Sequence, residues 1–183
     1  DARLLRYNPD GSPDLSFGDG GAVVTDAGDS ETLLTLAVLP DGRIARGGWS
    51  LGRGLLFARY RADGAPDPSF DGDGLMTLQL GGNQAVWALA VDGDGLLAAA
   101  CPAEQSHDGL LLRLTAGGAL DPSFGEAGRV APSFSGRECL PALAVGERRV
   151  AAAGVACGIA RTYAEAVDMA VMVWERAAAP APA

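Results

Sequence analysis

The sequence predicts an all-β fold, and two observations support this prediction. The 26 glycines and 11 prolines of the 183-residue chain fall between short apolar runs, which is typical of short strands joined by tight turns. In addition, 48% of the residues are apolar, which is enough for a buried core and too much for a disordered chain. A globular protein made of many short strands is therefore expected.

A repeat of a little over fifty residues organises the chain. The segment LLRYNPDGSPDLSFGDGG returns as LFARYRADGAPDPSFDGDG and again as LLLRLTAGGALDPSFGEAG. Its aromatic residue recurs at positions 17, 70 and 124, and its arginine at positions 6, 59 and 113. We predict one repeat domain over 1–176, with repeats at approximately 2–54, 55–108 and 109–176, followed by a Pro/Ala-rich linker or tail at 177–183.

Each repeat contains four predicted strands. In the first copy these are 22–25, 33–39, 43–49 and 54–61, and a Gly-containing turn such as Asp41-Gly42 joins the middle pair as a hairpin. Four short antiparallel strands at this period are typical of a β-propeller blade. The sequence thus predicts three four-stranded blades plus an extra N-terminal strand at 2–8, as a fragment of a larger propeller.

Two details of this strand assignment can be tested. The strand after each Ser-Phe motif is expected to be the inner strand of the next blade, which would turn Thr25, Gln79 and Arg129 toward the channel. The all-apolar run 96–100 is expected to be covered on both faces. The segment 167–176 has a helical alternative, with Tyr163, Val167, Val171 and Trp174 on one face, but its place in the repeat favours a strand.

The repeated motifs also resemble a known family. The sequences PDLSFGDGG, PDPSFDGDG and DPSFGEAG follow a strand ending in RY or RL and precede a hairpin, as in the bacterial delta-60 repeat. The resemblance covers roughly residues 2–174. It implies a β-propeller unit in a large secreted or surface protein, with no enzymatic activity, cofactor or catalytic residue. The third copy departs most, since Leu114 replaces the tyrosine.

Charge and composition narrow the possible partners. The net charge is −9 and the pI is about 4.5, so a nucleic-acid backbone is an unfavourable partner. The chain has no lysine, which excludes a Schiff-base or phosphate-loop lysine. No apolar run is long enough to cross a membrane, so membrane insertion is not expected. The chain begins at Asp1 without a methionine, as expected for a piece of a longer protein.

Aspartate-glycine clusters are the sharpest candidate for metal chemistry. Asp71 and Asp73 alternate with glycines, as do Asp92 and Asp94, and carboxylate-rich loops of this kind suit Ca²⁺. Neither cluster has the later acidic residue that completes a calcium loop. The favoured interpretation is turn chemistry, in which glycine supplies a positive φ and aspartate caps the turn. A calcium-stiffened adhesion module remains the alternative.

The Ser-Phe motif could form a repeated binding ring or a structural plug. Its members are Ser16, Ser69 and Ser123 with Phe17, Phe70 and Phe124. A large aromatic residue at one place in every unit favours the plug, which would fill the gap between blades. The following glycine would then turn the chain.

The histidine and cysteines offer no recognised catalytic motif. His107 stands beside Asp108, but no nucleophile motif accompanies the pair, so a solvated loop histidine is the favoured interpretation. Cys139 and Cys157 flank a predicted hairpin and could form a disulfide, which would leave Cys101 as a small buried residue. No CxxC motif suggests zinc.

The sequence therefore predicts no catalytic, cofactor or metal site. We expect a non-enzymatic extracellular or cell-surface binding or scaffold module whose partner is a protein or a glycan, with self-association through exposed blade edges as a further possibility. The rival interpretation is part of a propeller hydrolase or lyase, because such enzymes place their sites over the central channel.

Overall fold

The computed structural model describes residues 1–28, 30–81, 84–102, 109–131, 137–147, 149–157 and 167–175. Within these ranges every regular element is a strand. The strands are β1 (Ala2–Leu5), β2 (Ala22–Thr25), β3 (Glu31–Val38), β4 (Ile44–Ser50), β5 (Gly54–Tyr60), β6 (Leu75–Leu78), β7 (Gln84–Asp92), β8 (Gly95–Pro102), β9 (Leu110–Leu114), β10 (Arg129–Val130), β11 (Arg137–Val145), β12 (Arg149–Cys157) and β13 (Val167–Glu175). The predicted all-β fold is confirmed.

The strands form consecutive antiparallel sheets. Strands β3 to β6 make one four-stranded sheet and β7 to β10 make a second, each in chain order. They are preceded by a two-stranded sheet, β1 and β2, and followed by a three-stranded sheet, β11 to β13. The strand preferred over a helix near residue 170 is confirmed as β13, which pairs with β12 along its whole length.

The prediction for the strand after the Ser-Phe motif was wrong. Strand β6 pairs with the preceding strand β5, with Leu78 opposite Leu55, and is therefore the fourth strand of that sheet. Strand β2 pairs with β1 in the same way, so the predicted extra N-terminal strand, expected at 2–8 and observed as Ala2–Leu5, shares a sheet with β2. The physical reason is a reversal: Gly72 and Gly74 have φ of 92° and 93°, which returns the chain alongside β5.

The inner edge of the array is formed by the first strand of each sheet. Strand β3 contacts β7, and β7 in turn contacts β11, so these strands converge from sheet to sheet. The strands after the Ser-Phe motif lie at the opposite edge. Consequently the prediction that Thr25, Gln79 and Arg129 face a central channel was wrong; the hydroxyl of Thr25, for example, is hydrogen-bonded to that of Tyr60.

The core lies between neighbouring sheets. The run 96–100 in β8 is buried at every position, as predicted for a strand covered on both faces. Phe70 is fully buried with Leu55 of β5 and Leu112 of β9, which belong to successive sheets. Phe124 and Phe17 occupy the matching places in two further clusters. The prediction that these aromatic residues fill the gaps between blades is confirmed.

Each of these phenylalanines belongs to an arginine clamp, in which an arginine side chain lies over the phenylalanine ring. We use this name for the Arg, Asp, Ser and Phe of one repeat: 6, 14, 16 and 17; 59, 67, 69 and 70; 113, 121, 123 and 124. In the second clamp, Arg59 Nε donates to Asp67 at 2.7 Å and a terminal nitrogen donates to Ser69 Oγ at 2.7 Å. The guanidinium carbon lies 4.8 Å from the Phe70 ring centroid, in cation–π contact.

The clamps also join one repeat to the next. Arg59 donates to the carbonyl of Ala116, and Arg6 donates to the carbonyl of Ala62. Both acceptors lie in the turn after the third strand of the next sheet, Ala62 after β5 and Ala116 after β9. The backbone N–H of Asp71 reinforces the second junction by donating to Gly117 at 2.9 Å. Each of these two clamps therefore organises its own turn and fastens it to the following sheet.

The carboxyl group of Asp67 has a lowered pKa. Burial raises the pKa of Asp67, but hydrogen bonds from Ser69 and Arg43 and the charge of Arg59 outweigh it and lower the pKa to about 2. Since this value lies below that of an unfolded aspartate, the ionised group stabilises the fold above about pH 4, and this contribution is lost as the pH falls toward 2.

We therefore expect the stability difference between wild type and Asp67→Asn to depend on pH. The lowered pKa corresponds to about 2 kcal/mol in favour of the wild type near neutral pH, because only the ionised carboxylate gains from its arginine partners. Urea unfolding at a series of pH values should show this difference shrinking between pH 4 and pH 2. A difference that stays constant over this range would contradict the assignment.

The disulfide is not the one considered from the sequence. Cys139 bonds to Cys101 of β8 in the preceding sheet, across 38 residues of chain. The predicted pairing of Cys139 with Cys157 was wrong, because the two lie two positions apart in register: Cys139 faces Val155 and Cys157 faces Arg137. The prediction that Cys101 is only a small buried residue was also wrong. The bond fastens the four-stranded sheet β7–β10 to the three-stranded sheet β11–β13.

Removal of this disulfide should destabilise the chain by about 2–4 kcal/mol. The expectation rests on the chain entropy that a cross-link of this span removes from the unfolded state. The measurement is urea unfolding of the Cys101→Ala/Cys139→Ala double variant against Cys157→Ala as the matched control. Equal stability of both variants would show that the bond contributes nothing.

Candidate functional site

A cleft lies between the two four-stranded sheets, β3–β6 and β7–β10. Its volume is about 490 Å³, within the range of roughly 300–1,000 Å³ typical of small-molecule sites. The turn from β4 to β5 supplies one wall, and the start of β7 supplies the other. Its principal side chains are Leu34, Trp49, Ser50, Gln79, Gln84 and Trp87. We call this feature the tryptophan cleft.

A β-bulge turns Trp87 into the cleft. In β7, Val86 and Ala88 pair with adjacent residues of β8, which leaves Trp87 without a cross-strand partner. Its two neighbours are buried, whereas Trp87 is 47% exposed. Strand β3 has the same irregularity, and there Leu34 is the unpaired residue. Bulges redirect a side chain in this way, and they are common beside functional sites.

Trp49 marks a position that differs between sheet junctions. Trp49 faces Thr32 across the first complete sheet, and Cys101 faces Ala85 across the second at the same distance from the bulge. Between the sheet β7–β10 and the sheet β11–β13, this place is closed by the disulfide from Cys101 to Cys139. Between the sheet β3–β6 and the sheet β7–β10, the corresponding pair is Trp49 and Ala85, and both residues line the tryptophan cleft.

Two polar side chains of the cleft have unsatisfied atoms. Ser50 Oγ and Gln84 Oε1 are buried and have no hydrogen-bond partner among the described residues. Ser50 is 2% exposed and Gln84 is 9% exposed. A buried polar atom without a partner costs about 1–3 kcal/mol, which a ligand offering hydrogen bonds would recover. Gln79, by contrast, donates to the carbonyl of Gly52.

The cleft is electrically neutral. None of the described residues that line it carries a charge, and its polar groups are hydroxyls and amides. The lining therefore offers two indole rings for stacking and a few groups for hydrogen bonds. Such a surface can hold and orient a ligand with both apolar faces and polar edges.

The aspartate-glycine clusters act as turns. The carboxylate of Asp73 accepts a hydrogen bond from the N–H of Leu75 at 2.8 Å, in keeping with the predicted turn chemistry. Asp71 has a φ of 53°, a left-handed conformation that aspartate tolerates better than most residues. Asp92 is buried, with an oxygen 4.0 Å from an Arg113 nitrogen. Gly93 supplies a positive φ at the β7–β8 turn next to Asp94.

Millimolar calcium should therefore leave the melting temperature unchanged. A ligand raises it only by binding the folded state, and a micromolar site at a thousandfold excess would add about 4 kcal/mol, or several degrees. Thermal melts with calcium or with chelator test this. A rise of that size, lost on Asp73→Ala or Asp94→Ala, would make the calcium-stiffened adhesion module the better interpretation.

Another acidic group lies near the start of the chain and was not singled out from the sequence. Carboxylate oxygens of Asp1, Asp26 and Glu31 lie within 4.8 Å of one another. Glu31 is buried and accepts a hydrogen bond from the N–H of Ala27 at 3.0 Å. It also lies 3.4 Å from the terminal ammonium of Asp1, so structural contacts account for the group.

The repeated serines belong to the arginine clamps. Ser16, Ser69 and Ser123 donate to the aspartate two residues earlier, at 2.6, 2.7 and 2.7 Å, and accept from the clamp arginine. These contacts agree with the structural interpretation of the Ser-Phe motif and not with a binding ring.

His107 and the predicted tail at 177–183 lie outside the described residues. No helix long and apolar enough to span a bilayer occurs in the described part of the chain.

Sequence reasoning missed the tryptophan cleft. None of Trp49, Gln84 and Trp87 was singled out from the sequence as a candidate site residue. Neither the bulge that exposes Trp87 nor the missing partners of Ser50 and Gln84 can be read from residue types.

Comparisons with known proteins agree with the sheet arrangement. The family described as "Domain of unknown function (DUF5122) beta-propeller" matches residues 1–17 and 39–70. The WD40 domain of Pan2 from Neurospora crassa superposes with a TM-score of 0.56 at 11% identity, over 94% of this chain and 43% of that one. The chain thus spans less than half the length of that structure. The search of curated proteins gave no match. Together with the consecutive antiparallel sheets, these similarities identify the chain as a β-propeller-like repeat protein.

Proposed function

We propose that this chain is a non-enzymatic binding or scaffold module that works outside the cell or at the cell surface. The observation that carries the proposal is the tryptophan cleft, which combines a ligand-sized volume with two indole rings and unsatisfied hydrogen-bonding groups. We further propose that the repeat is of the delta-60 type, because the Ser-Phe motif and its arginine recur at the same spacing in all three copies.

The chemistry of the cleft favours binding over catalysis. A general acid or base must titrate near the working pH, whereas the described lining provides hydroxyl and amide groups. The strands expected to face a central channel lie instead at the outer edge, where Thr25 is engaged with Tyr60. Thr25, Gln79 and Arg129 therefore give the rival enzyme interpretation no support, and the recovery of the bound ligand described below tests it.

The disulfide supports the extracellular part of the proposal. Bonds such as that between Cys101 and Cys139 form and persist in oxidising compartments and are rare where glutathione keeps thiols reduced. Fractionation of the producing cells tests this location. We expect the protein in the surface or culture fraction, accessible to added protease, and recovery only from the cytosol would contradict it.

Binding is tested with immobilised arrays of cell-surface proteins and of glycans. We expect the labelled chain to retain a ligand that Trp87→Ala fails to retain, because the exposed indole contributes contact area without supporting the core. Mass spectrometry should recover that ligand unchanged. A chemically altered ligand would favour an enzyme, and equal retention by Trp87→Ala would show that the cleft is not the binding surface.

A further inference from the structure

Resting on the binding role proposed above, we propose that the tryptophan cleft is a binding site for a neutral saccharide. Three features of the cleft lead to this ligand class: exposed indole surface, buried polar atoms without partners, and a lining without charge. Each restricts the chemistry of the occupant in a different way.

The aromatic surface selects a ligand with a flat apolar face. Trp87 offers its ring at the bulge, and Trp49 lies in the opposite wall. Leu51, which is also well exposed, extends the apolar surface at the rim. The C–H face of a pyranose ring packs on an indole as other apolar groups do, while the hydroxyls around the ring remain free for hydrogen bonds.

The unsatisfied atoms require a ligand that carries hydrogen-bond donors. The Ser50 hydroxyl can donate or accept a hydrogen bond, whereas Gln84 Oε1 only accepts. A sugar hydroxyl satisfies both kinds of group, but an apolar ligand would leave both atoms unpaired at continued cost. Neither atom is exposed in the free chain, so binding includes a rotation of the Ser50 and Gln84 side chains toward the ligand.

Charge excludes the main competing ligands. An acidic saccharide would meet a protein of net charge −9 and a cleft without a described cationic lining residue. An ammonium ligand also suits aromatic rings, but the described lining supplies no carboxylate. A neutral saccharide avoids both penalties.

The comparison between neighbouring sheet junctions also supports a binding role for the tryptophan cleft. The position occupied by Trp49 and Ala85 is sealed at the next junction by the bond between Cys101 and Cys139. Where the structure closes one junction covalently, it places a tryptophan and a cavity at the other. The cleft thus lies at the junction between β3–β6 and β7–β10, and at the next junction the disulfide occupies the matching place.

The test uses the whole chain on an array of neutral and acidic glycans, followed by calorimetry with the best neutral oligosaccharide and with choline. Trp87→Ala should weaken saccharide binding by about tenfold or more, and Trp87→Phe should restore most of it. Ser50→Ala should weaken binding about fivefold without lowering the melting temperature, since its hydroxyl has no partner in the free chain.

The outcomes separate this inference from the proposed function. Trp87-dependent binding of neutral glycans, with the Ser50→Ala effect, supports the saccharide site. If choline or surface proteins bind in a Trp87-dependent manner while neutral glycans do not, the saccharide site is overturned and the binding role stands. If nothing binds to either array, both are overturned. Melting curves of each variant confirm that it is folded.

Discussion

Replacing Arg59 by alanine is expected to lower the free energy of unfolding by about 3–4 kcal/mol. The side chain is only 1% exposed and holds Asp67, Ser69 and the Ala116 carbonyl together. Without it, the buried carboxylate of Asp67 keeps its hydrogen bonds from Ser69, but its remaining arginine contact is the longer one of 3.3 Å to Arg43. Leaving a buried charge short of its partner is among the most destabilising single changes. Urea unfolding followed by circular dichroism measures the loss.

The repeats provide graded controls for this variant. Arg6 makes the same set of contacts but is about one-third exposed, so Arg6→Ala should cost distinctly less because solvent screens its ion pair. The exposed Arg61 is the local control, and its replacement by alanine should change stability by less than about 0.5 kcal/mol. Equal effects at Arg59 and Arg61 would show that the clamp contributes nothing.

Phe70→Ala is expected to destabilise the chain by about 3–5 kcal/mol. The ring is fully buried between two successive sheets, where it contacts the same core as Leu55 and Leu112. Truncation removes this apolar surface, leaves a cavity that the sheets can only partly close, and removes the ring beneath Arg59. Equilibrium unfolding in urea gives the value directly.

The exposed Tyr7 is a suitable aromatic control for Phe70. It is more than half exposed, and Tyr7→Ala should cost well under 1 kcal/mol. Phe17→Ala and Phe124→Ala extend the test to the other two clusters, in which those rings are also buried. A cost below about 1 kcal/mol at all three phenylalanines would contradict their role as plugs between sheets.

The sequence predicted the strands well because the relevant signals are local. Turn glycines such as Gly42 and apolar runs such as 96–100 determine where strands begin and end, and the structure places β4 and β8 beside them. The assignment of strands to sheets failed because it depends on pairing over distance. The residues of β6 are equally compatible with either neighbouring sheet, and only the reversal at Gly72 and Gly74 decides between them.

The candidate site was less predictable than the fold. The Ser-Phe motif was interpreted correctly as structural, but its link to Arg59 requires contacts between residues 8 and 10 positions apart in sequence. The disulfide was missed because Cys101 and Cys139 lie in different sheets, and proximity along the chain favoured Cys157 instead. Trp87 reaches the tryptophan cleft through a bulge, whose position depends on strand pairing and not on residue type.

The contacts from Arg6 to Ala62 and from Arg59 to Ala116 have a consequence for how the protein unfolds. Since each sheet is fastened mainly to its neighbours, the molecule resembles a one-dimensional lattice in which stability is the sum of unit and nearest-neighbour energies. Weakening one junction would then divide the lattice into separately cooperative blocks. In the Arg59→Ala variant, we expect the break between the sheet β3–β6 and the sheet β7–β10. The disulfide keeps the sheets β7–β10 and β11–β13 in a single unfolding block.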